Sequence, residues 1–460
     1  MMYSREKKPR LSRAARQQLW VALVLGLPLL LFVLYGGYIF GWFEFRSCPP
    51  NCQEVDRRGA DLAGVSWAGV DLRAANLANT TLVGADLSAG DLYFANFRGA
   101  NLAQANLRDA DLRGAYLDNA DLTGAALQGA TLRGARLNGA LLTKTNLQGA
   151  DLSGATFVGA SWQGARLDAQ TQLSDKWRLV WSIINEPQVD RDLVRADLAE
   201  ANLQGARLRG ANLQGAQLNN ADLRKADLNG ANLAGAALHQ ALMDDETQLD
   251  AKWRMVWRLV NENISGQQLA GVDLRAANLT GLYLRAADLT GADLRDIRLI
   301  DGDLRESVLT DARLNNSDLT DTSLRAADLQ NADLRGANLT NVDLSLANLL
   351  GVALDETTVL SDRWRRIWML VNEETAGKPL DGVDLSWTNF EGRSFVGASL
   401  VGSSFRFARL AGADFTNADL RDVDFSNAIL TDADLTGAAT TGTIFDDAQL
   451  EGVQGLQLTR

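Results

Sequence analysis

Apolar and polar positions recur along most of this chain with a period of five residues. From Leu62 almost to the C-terminus the sequence repeats Ala-Asp/Asn-Leu-x-x, as in NLAQANLRDADLRGAYLDNA over residues 101–120. Neither a helix nor a simple strand alternation has this period. A square coil has this period if each pentad forms one side. The central Leu, and the Ala two residues before it, then point toward the axis. The pattern therefore predicts a solenoid in which neighbouring coils bury one another.

The pentad frame breaks three times, and it breaks in the same way each time. The step between successive central residues is 26 at each break: from Leu167 to Leu193, from Met243 to Leu269 and from Leu354 to Leu380. The sequences at the breaks align without gaps as TQLSDKWRLVWSIINE, TQLDAKWRMVWRLVNE and TVLSDRWRRIWMLVNE. Each predicts a short amphipathic helix, with an N-cap at Ser174, Asp250 or Ser361. A helix of about three turns needs a docking surface to be stable.

Each predicted helix has an apolar stripe and a basic face. The stripes are Leu173, Trp177, Val180, Trp181 and Ile184; Leu249, Trp253, Val256, Trp257 and Val260; and Leu360, Trp364, Ile367, Trp368 and Val371. In a structural interpretation, which we favour, the Trp stripe packs on the coil. The basic residues then meet acidic columns, which the Asp residues before the central Leu form along the outer surface. In a functional interpretation, both faces bind a partner or a lipid interface. The candidate docking residues are Trp177, Arg178, Trp181, Trp253, Arg254, Trp257, Arg258, Trp364, Arg365 and Trp368.

The N-terminal part of the chain predicts a membrane anchor. A basic tail over residues 1–18 precedes an uncharged apolar run over 19–43, which is long enough to cross a bilayer and too long for the core of a signal peptide. The charge bias predicts a cytoplasmic N-terminus and an external repeat domain. Residues 44–61 are then a linker and cap. They contain Cys48 and Cys52, either disulfide-bonded, which we favour slightly, or as two free thiols.

These signals divide the rest of the chain into coil blocks and helical inserts. None of the six prolines is expected within a pentad, because proline lacks the N–H that a ladder between coils requires. The predicted coil blocks are 62–170, 193–246, 269–357 and 380–460, and the predicted inserts are 171–192, 247–268 and 358–379. In the last block, Phe395, Phe405, Phe415 and Phe425 recur every ten residues, which is half a turn of a square coil and predicts two stacks of rings on opposite sides.

The tandem pentads resemble those of the pentapeptide repeat family. That resemblance implies an all-β solenoid, a right-handed quadrilateral β-helix with about twenty residues per coil. The inserts are similar to those of cyanobacterial members, which implies a plasma or thylakoid membrane and a periplasmic or lumenal repeat domain.

Composition and motifs give little support to catalysis. The chain has a net charge of −12 and a single histidine, His239, at a predicted outward position. An acidic coil of this kind repels nucleic acid, so no direct nucleic-acid binding is expected. No phosphate loop, dinucleotide motif or zinc spacing is present, and no cofactor is predicted. The Asp columns could bind cations, but local turn bonds explain them better.

The expected function is therefore that of a non-catalytic, membrane-tethered scaffold that presents an acidic coil to an unidentified protein partner. Two alternatives remain open. One is a DNA-mimicking regulator of a type II topoisomerase, as in some members of the family, and the other is an accessory regulator of transport or envelope assembly. The oligomeric state is also open.

Overall fold

Each pentad folds into one side of a coil because it contains its own turn. The N–H of Ala75 donates to the carbonyl oxygen of Leu72 at 3.0 Å, closing a four-residue turn after the central Leu. The third residue of such turns has a positive φ, for example +65° at Gly84 and +57° at Asn79. This is the pattern of a type II turn, which favours Gly and Asn at that position. The computed structural model describes residues 51–262, 266–373 and 377–456.

Parallel backbone pairing joins each coil to the next. Asp71 pairs with Asp91, so equivalent residues lie 20 positions apart. The N–H of Leu72 donates to the Asp91 carbonyl at 2.8 Å, and the N–H of Asp91 donates to the Val70 carbonyl at 2.8 Å. Four pentads therefore make one coil, as the resemblance implies.

The interior of the coil is a column of Leu and Ala side chains. Leu72, Ala75 and Leu77 are 0% exposed, and the same two positions are buried along most of the described coil. Phenylalanine replaces leucine near the C-terminal end and forms the two predicted stacks. Phe395 stacks on Phe415 with ring centroids 5.1 Å apart, and Phe405 stacks on Phe425 at 5.2 Å. The two stacks also touch edge to face.

The described part of the chain divides into two compact units, with the boundary between Trp181 and Ser182. In the first, paired coils cover 51–172. In the second, they cover 192–248, 268–359 and 379–454, which we call the second, third and fourth coil segments. The described α-helices are α1 (Asp175–Asn185), α2 (Ala251–Asn261) and α3 (Asp362–Asn372). The boundary between the units falls within α1.

Several predicted boundaries are wrong by a few residues. Pairing is already present at Asn51, the first described residue, because NCQEV and DRRGA continue the pentad frame, with Cys52 in the central position. Pairing also continues to Gln172, Gln248 and Val359, so Leu173, Leu249 and Leu360 precede the helices instead of lying on them. Pro379 pairs with Ser399 and is therefore within a pentad. It is tolerated because this first pentad of the fourth segment has no regular preceding coil to receive its missing N–H.

The predicted transmembrane segment 19–43 lies outside the described residues. Within the part of the chain that is described, none of the helices combines the length and apolar character that crossing a bilayer requires.

Candidate interaction surfaces

An Asp-Leu-Arg unit recurs on the outer surface of the coil. The carboxylate of Asp71 accepts a bond from the backbone N–H of Arg73, two residues on, at 3.3 Å. The Arg73 guanidinium then returns to the same carboxylate at 2.8 Å and reaches Asp91 of the next coil at 3.4 Å. The local turn bonds predicted for Asp and Asn are therefore present. Similar pairs are Asp111–Arg113, Asp222–Arg224, Asp273–Arg275, Asp293–Arg295, Asp303–Arg305, Asp333–Arg335 and Asp419–Arg421.

This pairing keeps the carboxylates ionised. The hydrogen bond from Arg275 is the largest influence on Asp273 and holds the pKa of its carboxyl well below the usual range. Arg335 does the same for the pKa of Asp333. Among the described residues, no group of three or more His, Cys, Asp or Glu side chains is arranged to hold a metal ion.

The indoles of the predicted docking residues lie against the coil. Trp253 and Trp364 are each 8% exposed, and Trp177 is 7% exposed with its ring 5.9 Å from that of Phe157. The second indole of each helix donates its Nε1–H to a coil carbonyl at 2.7 Å: Trp181 to Ala165, Trp257 to Ala241 and Trp368 to Val352. The fully buried stripe differs slightly from the predicted one, since it includes Ile183 and Leu259 instead of Ile184 and Val260.

Arginine and asparagine side chains fasten the helices at both ends. Arg178, Arg254 and Arg365 donate to the carbonyls of Thr171, Thr247 and Thr358, respectively. At the other end of α2 and α3, Asn261 donates to the Leu238 carbonyl and Asn372 to the Leu349 carbonyl, both at 3.0 Å. The predicted N-caps Asp250 and Ser361 are in place. Only the Ser361 side chain accepts a bond from its own helix, whereas the Asp250 carboxylate accepts from Gly230.

The basic residues beside the buried indoles face acidic columns in the second unit. Lys252 lies 4.6 Å from the ring of Trp253 and 3.5 Å from the Asp273 carboxylate. Arg363 lies 4.5 Å from the ring of Trp364 and 3.6 Å from the Asp384 carboxylate. Arg258 instead pairs with Glu262 on its own helix at 2.9 Å. These contacts fit the structural interpretation of the helices.

An exposed pair of aromatic residues, which was not predicted from the sequence, lies on the first unit. Tyr93 is 40% exposed and Phe94 is 46% exposed, and their rings meet edge to face at 4.5 Å. Arg113 of the next coil lies 5.3 Å from the Tyr93 ring. Phe94 has a φ of +53°, at the turn position that is glycine in many other pentads. A phenylalanine at this turn position is the sequence signal from which the exposed pair could have been predicted.

A groove of about 590 Å³ in the second unit is lined by His239 together with two arginines, Arg195 and Arg298. His239 was predicted to point outward, and it is half-buried between this groove and a second one of about 420 Å³ next to α2. The two arginines were not predicted, because they belong to different coil segments and are 103 positions apart in the sequence.

Cys52 occupies the central position of the first described pentad, is 3% exposed and is disulfide-bonded. Cys48, the only other cysteine in the chain, lies outside the described residues. The Cys48–Cys52 pairing therefore stays a prediction.

Comparison with known proteins identifies the repeat. A profile of pentapeptide repeats, in eight copies, matches well over half of the chain. The matched residues are 58–92, 95–134, 120–159, 135–168, 192–230, 206–245, 268–305, 287–325, 322–358, 384–422 and 418–453. None of the curated proteins compared with the chain matches it.

The solved structures that are similar to the chain include three pentapeptide repeat proteins. HetL of Nostoc sp. Strain PCC 7120, a pentapeptide repeat protein involved in heterocyst differentiation regulation, is 21% identical. The match covers 90% of this chain and 94% of HetL, with a TM-score of 0.13. Rfr23 of Cyanothece 51142 is 30% identical over 27% of this chain and 91% of its own, with a TM-score of 0.13. A pentapeptide repeat protein of the Arabidopsis thaliana thylakoid lumen is 34% identical over 28% and 77%, with a TM-score of 0.15.

Proposed function

Because the chain belongs to the pentapeptide repeat family, whose fold is a right-handed β-helix, we propose that it is a non-catalytic scaffold whose coil surface binds a partner protein. Residues 19–43 hold it at a membrane in this proposal. The main support for a partner site on the coil is the exposed aromatic pair, Tyr93 and Phe94.

Phe94 is costly for the fold, and its side chain is only partly buried in return. A bulky residue with φ of +53° is an outlier that costs on the order of 1–3 kcal/mol, and Gly or Asn would remove that cost. Nearly half of the side chain is exposed, so burial offsets the strain only in part. Exposed aromatic residues beside an arginine, here Arg113, are typical of the residues that dominate protein interfaces.

The tryptophans of the helices are weaker candidates for the partner site. The indoles of Trp177, Trp253 and Trp364 are buried against the coil. The half-buried indoles of Trp181, Trp257 and Trp368 already donate their N–H groups to coil carbonyls. A partner could engage the buried indoles only if the helices detached. The candidate interface therefore moves from the helices to the coil surface around Tyr93.

The charge pattern weakens the case for nucleic-acid mimicry. A mimic of DNA needs rows of carboxylates that remain available to a basic protein. In the Asp-Leu-Arg units the carboxylate is paired with its own arginine, as in Asp222–Arg224 at 2.6 Å. Carboxylates and guanidinium groups therefore lie side by side in neighbouring columns of the surface. Regulation of transport or envelope assembly remains compatible with a scaffold, and no described residue favours it specifically.

Site-specific photo-crosslinking tests the scaffold proposal. A photoreactive phenylalanine at position 93 of the full chain, expressed in its native host, should capture a defined protein that mass spectrometry identifies. The double variant Tyr93→Ala/Phe94→Gly should reduce co-purification of that protein about tenfold or more without lowering thermal stability. Phe407→Gly is the matched control, because Phe407 also has a positive φ but stacks on Trp387 at 4.2 Å. Recovery of the partner should be unchanged in this variant. Equal recovery of the partner with the double variant would overturn the proposal.

A topology reporter tests the membrane part separately. We expect a reporter fused after Arg460 to be active on the external side of the membrane, with residues 19–43 required for membrane fractionation. Cytoplasmic activity of the reporter would exclude the proposed orientation and leave the aromatic pair to be judged by crosslinking.

A further inference from the structure

The groove that His239 lines exists because coil pairing is interrupted at α2. The N–H of Gly235 donates to the Ala276 carbonyl at 2.6 Å and joins the second coil segment to the third. Two residues further on, Ala237 pairs backward with Gln217, and Asn278 pairs forward with Arg298. Among the described residues neither has a pairing partner across the junction. The backbone therefore separates here and leaves the 590 Å³ groove.

The groove is cationic in a chain that is strongly acidic. Arg195, His239 and Arg298 line it, and no carboxylate does. Most arginines of the coil are paired with an Asp or Glu. Within the described part of the chain, the guanidinium groups of Arg195 and Arg298 have no such partner. Two unpaired arginines beside an imidazole concentrate positive charge at one point of the surface.

Amide groups add hydrogen-bond donors to the same walls. The Asn219 side-chain oxygen accepts from the backbone N–H of His239 at 3.1 Å, which leaves the Asn219 NH₂ group to donate elsewhere. The Asn278 oxygen likewise accepts from the Thr280 N–H and hydroxyl, at 3.3 and 2.9 Å. Its NH₂ group is also left to donate. The groove thus combines cations with neutral donors, which suits an anion that has several oxygens.

The next junction of the same unit lacks this chemistry. It repeats the backbone arrangement 111 positions later, where the Leu346 N–H donates to the Trp387 carbonyl at 2.7 Å. There Glu306 replaces Arg195, and Arg409, the equivalent of Arg298, pairs with Glu391 at 3.5 Å. Trp387 replaces the small Ala276 and stacks on Phe407. The cationic groove is therefore not a general consequence of the break in the frame.

From these observations we infer that the groove binds a phosphate group of a small phosphate ester. Arginine guanidinium groups match phosphate oxygens in a bidentate manner, and Arg195 and Arg298 supply two of them from different coil segments. The second groove extends from His239 to Tyr283, which is 68% exposed, and gives space for the organic part of the ester. Glu262 lines that second groove but is already paired with Arg258. This site is independent of the proposed interface at Tyr93.

His239 is the only histidine in the chain and therefore reports on the groove without ambiguity. The experiment uses the full chain in detergent, purified with a tag that contains no histidine and labelled with ¹³C at histidine Cε1. Inorganic phosphate and adenosine monophosphate are titrated separately, and the single imidazole signal is followed by NMR. We expect a saturable shift with both. Arg195→Gln or Arg298→Gln should each weaken binding about tenfold. Arg313→Gln, which alters another exposed arginine without a carboxylate partner, should have no effect.

A lipid headgroup would present the same phosphate chemistry, so phosphatidylglycerol added to the detergent micelles forms a second arm, followed by the same imidazole signal. Micelles with and without phosphatidylglycerol are compared for the wild type and the Arg195→Gln/Arg298→Gln variant. A response to adenosine monophosphate that the double variant loses supports a soluble ester. A response to phosphatidylglycerol alone, lost in the double variant, assigns the phosphate to a lipid. The inference is overturned if neither probe responds, or if the double variant, with an unchanged melting temperature, responds like the wild type.

Discussion

A single aspartate before the central leucine stabilises both the turn of its own pentad and the charge pattern of the surface. In Asp71 one carboxylate accepts from the Arg73 backbone and pairs with the Arg73 guanidinium. Exposed ion pairs of this kind contribute little individually, but the Asx bond is part of the turn itself. The turn bonds were predictable from the residue types. The arginine partner was not, because a solvated Arg has many possible acceptors.

At the corner of the coil before each helix, one Asp carboxylate accepts several hydrogen bonds. The Asp355 carboxylate accepts from the backbone N–H groups of Gly336, Thr357 and Thr358, at 3.1, 3.0 and 2.9 Å. The hydrogen bond from the Thr357 hydroxyl is the largest influence, and together these bonds lower the pKa of Asp355 to about 2. Asp168 and Asp244 occupy the equivalent corners, and the pKa of each is also lowered.

Asp355→Asn should therefore have a pH-dependent effect on stability. A carboxyl whose pKa is lower in the folded chain stabilises fully above its unfolded pKa of about 4, and that contribution is lost as the pH falls toward 2. The urea midpoint of the variant should thus lie below that of the wild type at pH 6, and the gap should narrow from pH 4 to pH 2. Denaturation curves at fixed ionic strength measure it. A constant gap over that range would contradict the role of the charge.

At the scale of the elements, each helix exists because the coil provides it with a surface. The helices are 11 residues long and would be marginal alone. Their apolar stripes and N-caps were predictable, since both follow a helical period. Their start was harder to predict, because Leu249 fits both the helical stripe and the coil. The deciding contact is the Thr247 hydroxyl, which donates to the Leu223 carbonyl at 3.0 Å and keeps that turn in the coil.

Replacing the buried indole of α3 should release that helix. Trp364→Ala removes a large side chain that is 8% exposed, which costs about 3–5 kcal/mol in a packed core. Trp368→Phe keeps most of the ring but removes the 2.7 Å bond to Val352, at a cost of about 1–3 kcal/mol. Hydrogen exchange over residues 362–372 should accelerate in both variants, and more in Trp364→Ala than in Trp368→Phe.

The exposed Arg366 on the same helix serves as the control, and Arg366→Ala should leave exchange unchanged. If Trp364→Ala also left exchange unchanged but removed a bound partner, the functional interpretation of these helices would replace the structural one.

At the scale of the whole molecule, repeats contact mainly their neighbours, so stability is distributed along the chain. The regular coil was predictable from the pentads because every coil obeys the same rule. The cationic groove was not, since Arg195 and Arg298 come together only where the third coil segment resumes after α2. A local period contains no information on which residues meet across a break in that period. Features unique to one junction therefore require the structure.

Damage within one segment should accordingly stay local. Phe405 is fully buried between the rings of Phe395, Phe415 and Phe425, at 5.7, 5.9 and 5.2 Å. Phe405→Ala should destabilise the fourth coil segment by about 3–5 kcal/mol. Phe405→Leu should cost less than about 1.5 kcal/mol, because leucine occupies this position in most coils.

In Phe405→Ala, hydrogen exchange should rise over 379–454 and remain unchanged over 51–172, and calorimetry should show a first unfolding transition at a lower temperature. A uniform rise in exchange across both ranges would mean that the two units unfold together, contrary to nearest-neighbour stability.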